Sequence, residues 1–164
     1  MISVSGTKTN DIAKAIAGLS LKDKTVRRVF YSSMGRSITR AKSRIAKDLA
    51  SELKLPIKVI RKRLLLYKKK TSDGQDYKIW AGLNDIPLGA LGNLKKVGKD
   101  VVVRGVRADN AFIVNGIVYL RDSGNKARLE IEENVSQIIN QRLPYYFDSE
   151  FKKNFEQALR YKFR

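Results

Sequence analysis

The side chains that most enzymes use to move protons, hold metals or attack electrophiles are missing, because the 164 residues include neither histidine nor cysteine. Their absence removes the imidazole base, the Ser-His pair, thiolate nucleophiles, disulfides and the usual zinc ligands. Carboxylate, Lys, Tyr and Ser chemistry remains. Acid and base catalysis by carboxylates needs two of them aimed at one cleft. Glu130, Glu132 and Glu133 are the acidic cluster of the chain. Glu130 and Glu132 share a strand face with Glu133 beyond it, which suits a polar edge or a contact for basic neighbours. Asp73, Asp76 and Asp85 offer no convergent set for a magnesium ion. The expectation is a protein that is not an enzyme and has no cofactor or metal.

Two glycine patterns fall short of their motifs. Between Gly92 and Lys99 the glycines are separated by five residues, one more than a phosphate loop has, and Asp100 stands where that loop places Ser or Thr on magnesium. Gly89-Ala90-Leu91-Gly92 fits the GxxG of KH modules, a pattern that any two glycines three apart satisfy. Tyr77, Trp80, Phe112 and Tyr119 are of the type that stacks bases, yet no run carries the aromatic signature of the RRM sheet, and they read as core.

Charge is the strongest signal. Thirty-four Lys and Arg face 16 Asp and Glu, a net charge of +18, which predicts attraction to nucleic acid, acidic protein or anionic lipid. Residues 1–70 hold 19 basic and four acidic residues, whereas residues 71–164 hold 15 and 12. The N-terminal part is therefore the side that meets an acidic partner. Arg36, Arg40, Arg44 and Lys47 fall at steps of four, four and three, a cationic stripe along one helical face, and Lys58, Arg61 and Lys62 extend the basic surface. Like charges at these steps repel by about a few tenths of a kcal/mol each, a cost that an anionic partner relieves. Lys68, Lys69 and Lys70 read as a solubilising hairpin tip.

These charges need elements to carry them. Asn10 or Asp11 caps a short helix through Leu19. From Asp23 to about Leu53, the residues Val26, Phe30, Met34, Ile38, Ala41, Ile45, Leu49 and Leu53 repeat near the helical turn, which predicts one long amphipathic helix. Gly35 costs it about 1 kcal/mol and marks a bend or close contact, with a break into two helices as the fallback. Pro56 opens a short helix through about Arg63. A hairpin follows, with strands at Leu64–Lys68 and Tyr77–Leu83 around a turn at Thr71–Gly74. Further strands are expected at Val101–Val106, Ala111–Val114, Ile117–Arg121 and Arg128–Glu132, then helices near Val135–Asn140 and Asp148–Tyr161. The fold class is α+β: a long basic N-terminal helix and a short helix packed on an antiparallel β-sheet or small barrel, with C-terminal helices. The expected parts are an extension over 1–22, a basic helical region over 23–63 and a sheet with C-terminal helices over 64–164, all in one compact domain. No stretch reaches the roughly 18 apolar residues of a membrane span and the N-terminus lacks a signal-peptide core, so no membrane contact and a soluble intracellular protein are expected.

The run from Arg40 to Arg63, RAKSRIAKDLASELKLPIKVIRKR, resembles the basic helix-Pro-helix of the phage minor tail protein Z family. Ile86-Pro87-Leu88, Val101-Val102-Val103, Ala111-Phe112-Ile113-Val114 and Val118-Tyr119-Leu120-Arg121 follow in the family's order, and the likeness covers about residues 25 to 160. The first twenty residues and Glu130-Ile131-Glu132-Glu133 depart from it. The resemblance implies a structural virion protein of the tail neck that completes the tail and helps join it to the head. It implies a homo-oligomer, with a hexameric ring as the symmetry matching a tail tube. The partners would be the tail terminator or tube and head-completion proteins, with packaged DNA as another contact, and the host cytoplasm would be the place of assembly. The composition alone equally suits a stand-alone basic nucleic-acid-binding module.

Overall fold

The computed structural model describes residues 2–4, 24–71, 74–82, 84–131 and 134–162. The expected helix over 10–19 and the proposed boundary at 22 lie outside these residues. Two 29-residue helices, α1 (Lys24–Glu52) and α3 (Asn134–Lys162), form the frame. In α1, Val26, Phe30, Met34, Ile38, Ala41, Ile45 and Leu49 are all buried, so the spacing that predicts the helix also selects its inner face. Gly35 does not break it. Its bare Cα marks a close contact with a strand: a Cβ there would lie 2.8 Å from the Tyr77 hydroxyl.

Helix α1 ends without a glycine. Lys54 takes the left-handed conformation, the Leu55 N–H donates to the Ala50 carbonyl at 2.9 Å and the Lys54 N–H to Ser51 at 3.3 Å. This is the double bond of a Schellman stop. Pro56 then caps α2 (Ile57–Arg63). Its φ of −61° suits the entry to a helix. The hairpin β2 (Leu64–Thr71) and β3 (Gly74–Ala81) runs antiparallel with Leu64 opposite Ala81 and Lys68 opposite Tyr77. Tyr77 and Ile79 point inward while Lys78 and Trp80 point outward, the period of two that a one-sided sheet requires. An unforeseen third strand, β1 (Ile2–Val4), pairs with β3.

The remaining strands form small antiparallel units rather than one sheet or a barrel. Strands β5 (Lys95–Val97), β6 (Asp100–Val103) and β7 (Val106–Ala108) make a meander, and β8 (Ala111–Val114) pairs with β9 (Ile117–Leu120). Strand β4 (Ile86–Pro87) pairs with β10 (Arg128–Leu129). The continuous strand expected over Val101–Val106 is instead β6 and β7, folded back at Arg104-Gly105 with φ of 49° and 84°. Asn115-Gly116 makes the same kind of two-residue turn in the expected place. The GxxG segment is structural: Leu88–Leu91 is a single 3-10 turn, and a Cβ on Gly89 would meet the Gly116 carbonyl oxygen at 2.2 Å.

The two expected C-terminal helices are one. Pro144 lies within α3 on its exposed side and removes a backbone donor, a cost of about 3 kcal/mol. Val135, Ile139 and Leu143 before it and Phe147, Phe151 and Phe155 after it are all buried along one face. Burial at about 1.5–3 kcal/mol for each such side chain outweighs the break.

The Gly35 contact gives a testable coupling. Gly35→Ala alone should lower stability by about 1 kcal/mol, because overpacking against buried Tyr77 exceeds the helix-propensity gain. In a Tyr77→Phe background the same change should raise stability by about 0.5–1 kcal/mol, as urea denaturation of the four-member cycle would measure.

Candidate functional site

One row of side chains runs the whole length of α1 at steps of four: Lys24, Arg28, Ser32, Arg36, Arg40, Arg44, Asp48 and Glu52. A second row runs back along α3 at the same step: Arg142, Tyr146, Glu150, Asn154, Ala158 and Lys162. The two helices are antiparallel, and over half their length the rows join like rungs. Arg142 reaches Glu52 at 2.6 Å and Asp48 at 3.5 Å. Tyr146 donates its hydroxyl to Asp48 at 2.6 Å. Glu150 takes Arg44 at 2.7 Å and Arg40 at 3.2 Å. Asn154 accepts from Arg40 at 2.9 Å and donates to Ser37 at 2.9 Å.

The seam has electrostatic consequences. The hydrogen bond to Glu52, and less so the charges of Glu52 and Asp48, raise the Arg142 guanidinium above its ordinary range. The bond to Asp48 is the main cause that raises the Tyr146 phenol. Arg44 also lies over the Tyr146 ring at 5.6 Å.

Arg40 and Arg44, expected to face a partner, thus do a second job. The Glu150 side chain is 9% exposed while those of Arg40 and Arg44 are 55% and 49% exposed. The carboxylate sits inside the joint and the two guanidiniums close it from outside. Removing both partners of such an acid is costly, whereas each arginine alone can rehydrate.

The seam stops one step beyond Asn154. Arg36 comes level with Ala158, which has nothing to accept a bond, and Ser32 with Lys162. Arg28, Ser32, Arg36 and Arg40 form a ridge that lines a groove on each side. The first groove, about 820 Å³, lies between α1 and the hairpin and adds Lys24, Arg27 and Lys68 over a floor of Tyr31 and Tyr77. The second, about 730 Å³, lies between α1 and the end of α3 and adds Arg160 and Lys162. Among the described residues no carboxylate lines either groove. Among the described residues no acid pairs with Lys24, Arg27, Arg28 or Arg36. Lys24, Arg27 and Arg28 also occupy the first turns of α1, where the helix dipole is positive. The arrangement stores like-charge repulsion that an anion relieves.

Of the residues singled out from sequence, Arg36 lies at the centre of this surface and Arg40 at its edge. Arg44 belongs to the seam. Lys47, Lys58, Arg61 and Lys62 are exposed but line neither groove. Arg63, next to them, is tied to the Gly82 carbonyl at 3.2 Å and to Asp85 at 3.1 Å. Lys24, Arg27 and Arg28 were missed. Extending the step-four row backwards would have reached Lys24 and Arg28, but the neutral Ser32 interrupts it. The aromatic set is dispersed: Tyr77 is buried against α1, Trp80 faces outward, and Phe112 stacks on Tyr119 in another sheet at 5.7 Å. Among the described residues no acidic group is arranged to hold a metal, and no helix is long and apolar enough to cross a membrane.

Comparison with models of known protein families, with curated proteins and with solved structures gives no match to this chain.

Charge reversal separates seam from surface. Arg40→Glu with Arg44→Glu strips buried Glu150 of both cations and sets two more carboxylates beside it, and should cost about 3 kcal/mol or more. Arg36→Glu should change stability by less than about 0.5 kcal/mol, both read from the urea midpoint. The double reversal therefore probes the fold, and Arg36 is the position for probing a partner.

Proposed function

We propose that this protein is a non-enzymatic structural component of a phage particle, a tail-completion or neck protein that finishes the tail and helps join it to the head, acting as a ring. The observation that carries the reading is the ordered set of segments similar to the minor tail protein Z family. The segments fall largely on regular elements of the fold. The basic helix-Pro-helix is α1 and α2, Ile86-Pro87 is β4, the valine run is β6, and the Ala-Phe-Ile and Val-Tyr-Leu runs are β8 and β9. The lack of histidine and cysteine supports a docking role over a chemical one. The ring would set subunits against the tail terminator or tube on one side and head-completion proteins on the other, in the virion neck, after assembly in the host cytoplasm.

Deleting the gene from its phage or prophage and imaging the lysate by electron microscopy tests this role. Unjoined heads beside defective tails, restored to whole particles by the gene in trans, are expected. Normal infectious particles from the deletion would overturn it.

A further inference from the structure

We propose that the ridge and two grooves on the N-terminal half of α1 form a binding site for the phosphate backbone of double-stranded nucleic acid, read without regard to sequence. This site stands on its surface chemistry and does not need the tail role.

The first reason is what the seam leaves over. Among the described residues, the two step-four rows carry acids along the C-terminal half of α1 and at Glu150 of α3 but none past Asn154, so Lys24, Arg27, Arg28 and Arg36 are exposed together without a described counter-charge. Lys24 to Arg36 spans about 18 Å of helix at 1.5 Å per residue. A duplex presents one negative charge per roughly 1.7 Å of axis, so that length faces ample phosphate from two strands. A ridge with a cationic groove on either flank suits two backbones rather than a point ligand.

The second reason is what the grooves lack. A protein partner needs an apolar centre from which charge is excluded, and here the centre of the face is the charged ridge itself. A single strand needs exposed rings for stacking. Tyr77 is 5% exposed, and Tyr31 is held edge-on to Phe30 at 5.2 Å. Among the described residues Tyr161 is the one strongly exposed ring on these grooves, at the rim of the second, and one ring gives no platform on which successive bases stack. Arginine predominates at the ridge, and its planar fork matches phosphate oxygens. Neutral Ser32, Thr39 and Gln75 line the first groove, so the phosphates there would meet uncharged hydrogen-bonding groups between the cations.

The test is fluorescence anisotropy of a labelled random-sequence 30-base-pair duplex with the full chain across a salt series. The logarithm of affinity should fall with the logarithm of salt with a slope of about −4, as roughly four neutralised phosphates give. The triple variant Arg27→Ala, Arg28→Ala, Arg36→Ala should bind at least about tenfold more weakly at fixed salt and lose nearly three units of slope. The variant Lys58→Ala, Arg61→Ala, Lys62→Ala removes the same charge elsewhere and should stay within about twofold of wild type. All six residues are exposed, and circular dichroism would show that both variants keep the fold. Equal weakening by the two triples would mean net charge alone binds the duplex and would overturn the site. So would poly-glutamate that displaces the duplex at matched charge, because it would identify an acidic protein as the better partner.

Discussion

Everything else hangs from the antiparallel contact of α1 with α3. Its inner side is aromatic: Phe30 meets Phe151 and Phe155 edge-on with ring centroids 5.3 and 5.8 Å apart, and Phe147, Phe151 and Phe155 stack in sequence along α3. Phe30, Phe151 and Phe155 are fully buried. Aromatic contact supplies free energy but little register, since stacked rings tolerate sliding. The polar seam supplies register. A slip of one helical turn in one direction would set Arg142 against Asp48 and Arg44, and in the other would leave buried Glu150 facing Asp48 across the joint. Asn154, 6% exposed, binds Ser37 and Arg40 with both ends of its amide and accepts a third bond on its carbonyl from Ser33. Ser33 and Ser37 are buried and small, which lets the helices come close there. Each partner in this group is satisfied, the condition under which a buried polar network fixes one arrangement.

The hairpin and the small sheets use the other sides of this frame. Tyr77 closes the hairpin onto α1 at Gly35, and the Leu64 end of the hairpin packs where Leu49 and Ile60 are buried. Because α1 is covered on two sides, its remaining face is narrow, and that face is the cationic ridge. One helix therefore bears both the structural charges, which look toward α3, and the unpaired ones, which look outward. The switch between them occurs at a single step, from Asn154 to Ala158.

Local signals made much of this legible. The apolar repeat from Val26 to Leu49, Pro56 at the entry to α2, and Asn115-Gly116 between two apolar runs each act within a few residues, and each led to the correct element. The failures share a cause. Arg104-Gly105 turns the chain although arginine is a poor turn residue, because the valines on either side gain more by pairing than by continuing. Pro144 signals a break, and long-range burial of Leu143 and Phe147 overrides it. Lys54 stops α1 where glycine is usual. The pairing of Arg40 and Arg44 with Glu150 spans more than a hundred residues and has no local mark. The i, i+4 spacing rightly gave a row of charge, but spacing cannot say which rungs find partners.

Helix α1 divides into a closed half and an anion-facing half. Arginine side-chain Nε–Hε correlations by nuclear magnetic resonance, recorded for the 18.6 kDa chain with and without a duplex, test it residue by residue. Resonances of Arg27, Arg28 and Arg36 should shift together and saturate while those of Arg44, Arg61 and Arg142 hold their positions. Shifts centred on Arg61 with Arg28 and Arg36 unmoved would contradict the division.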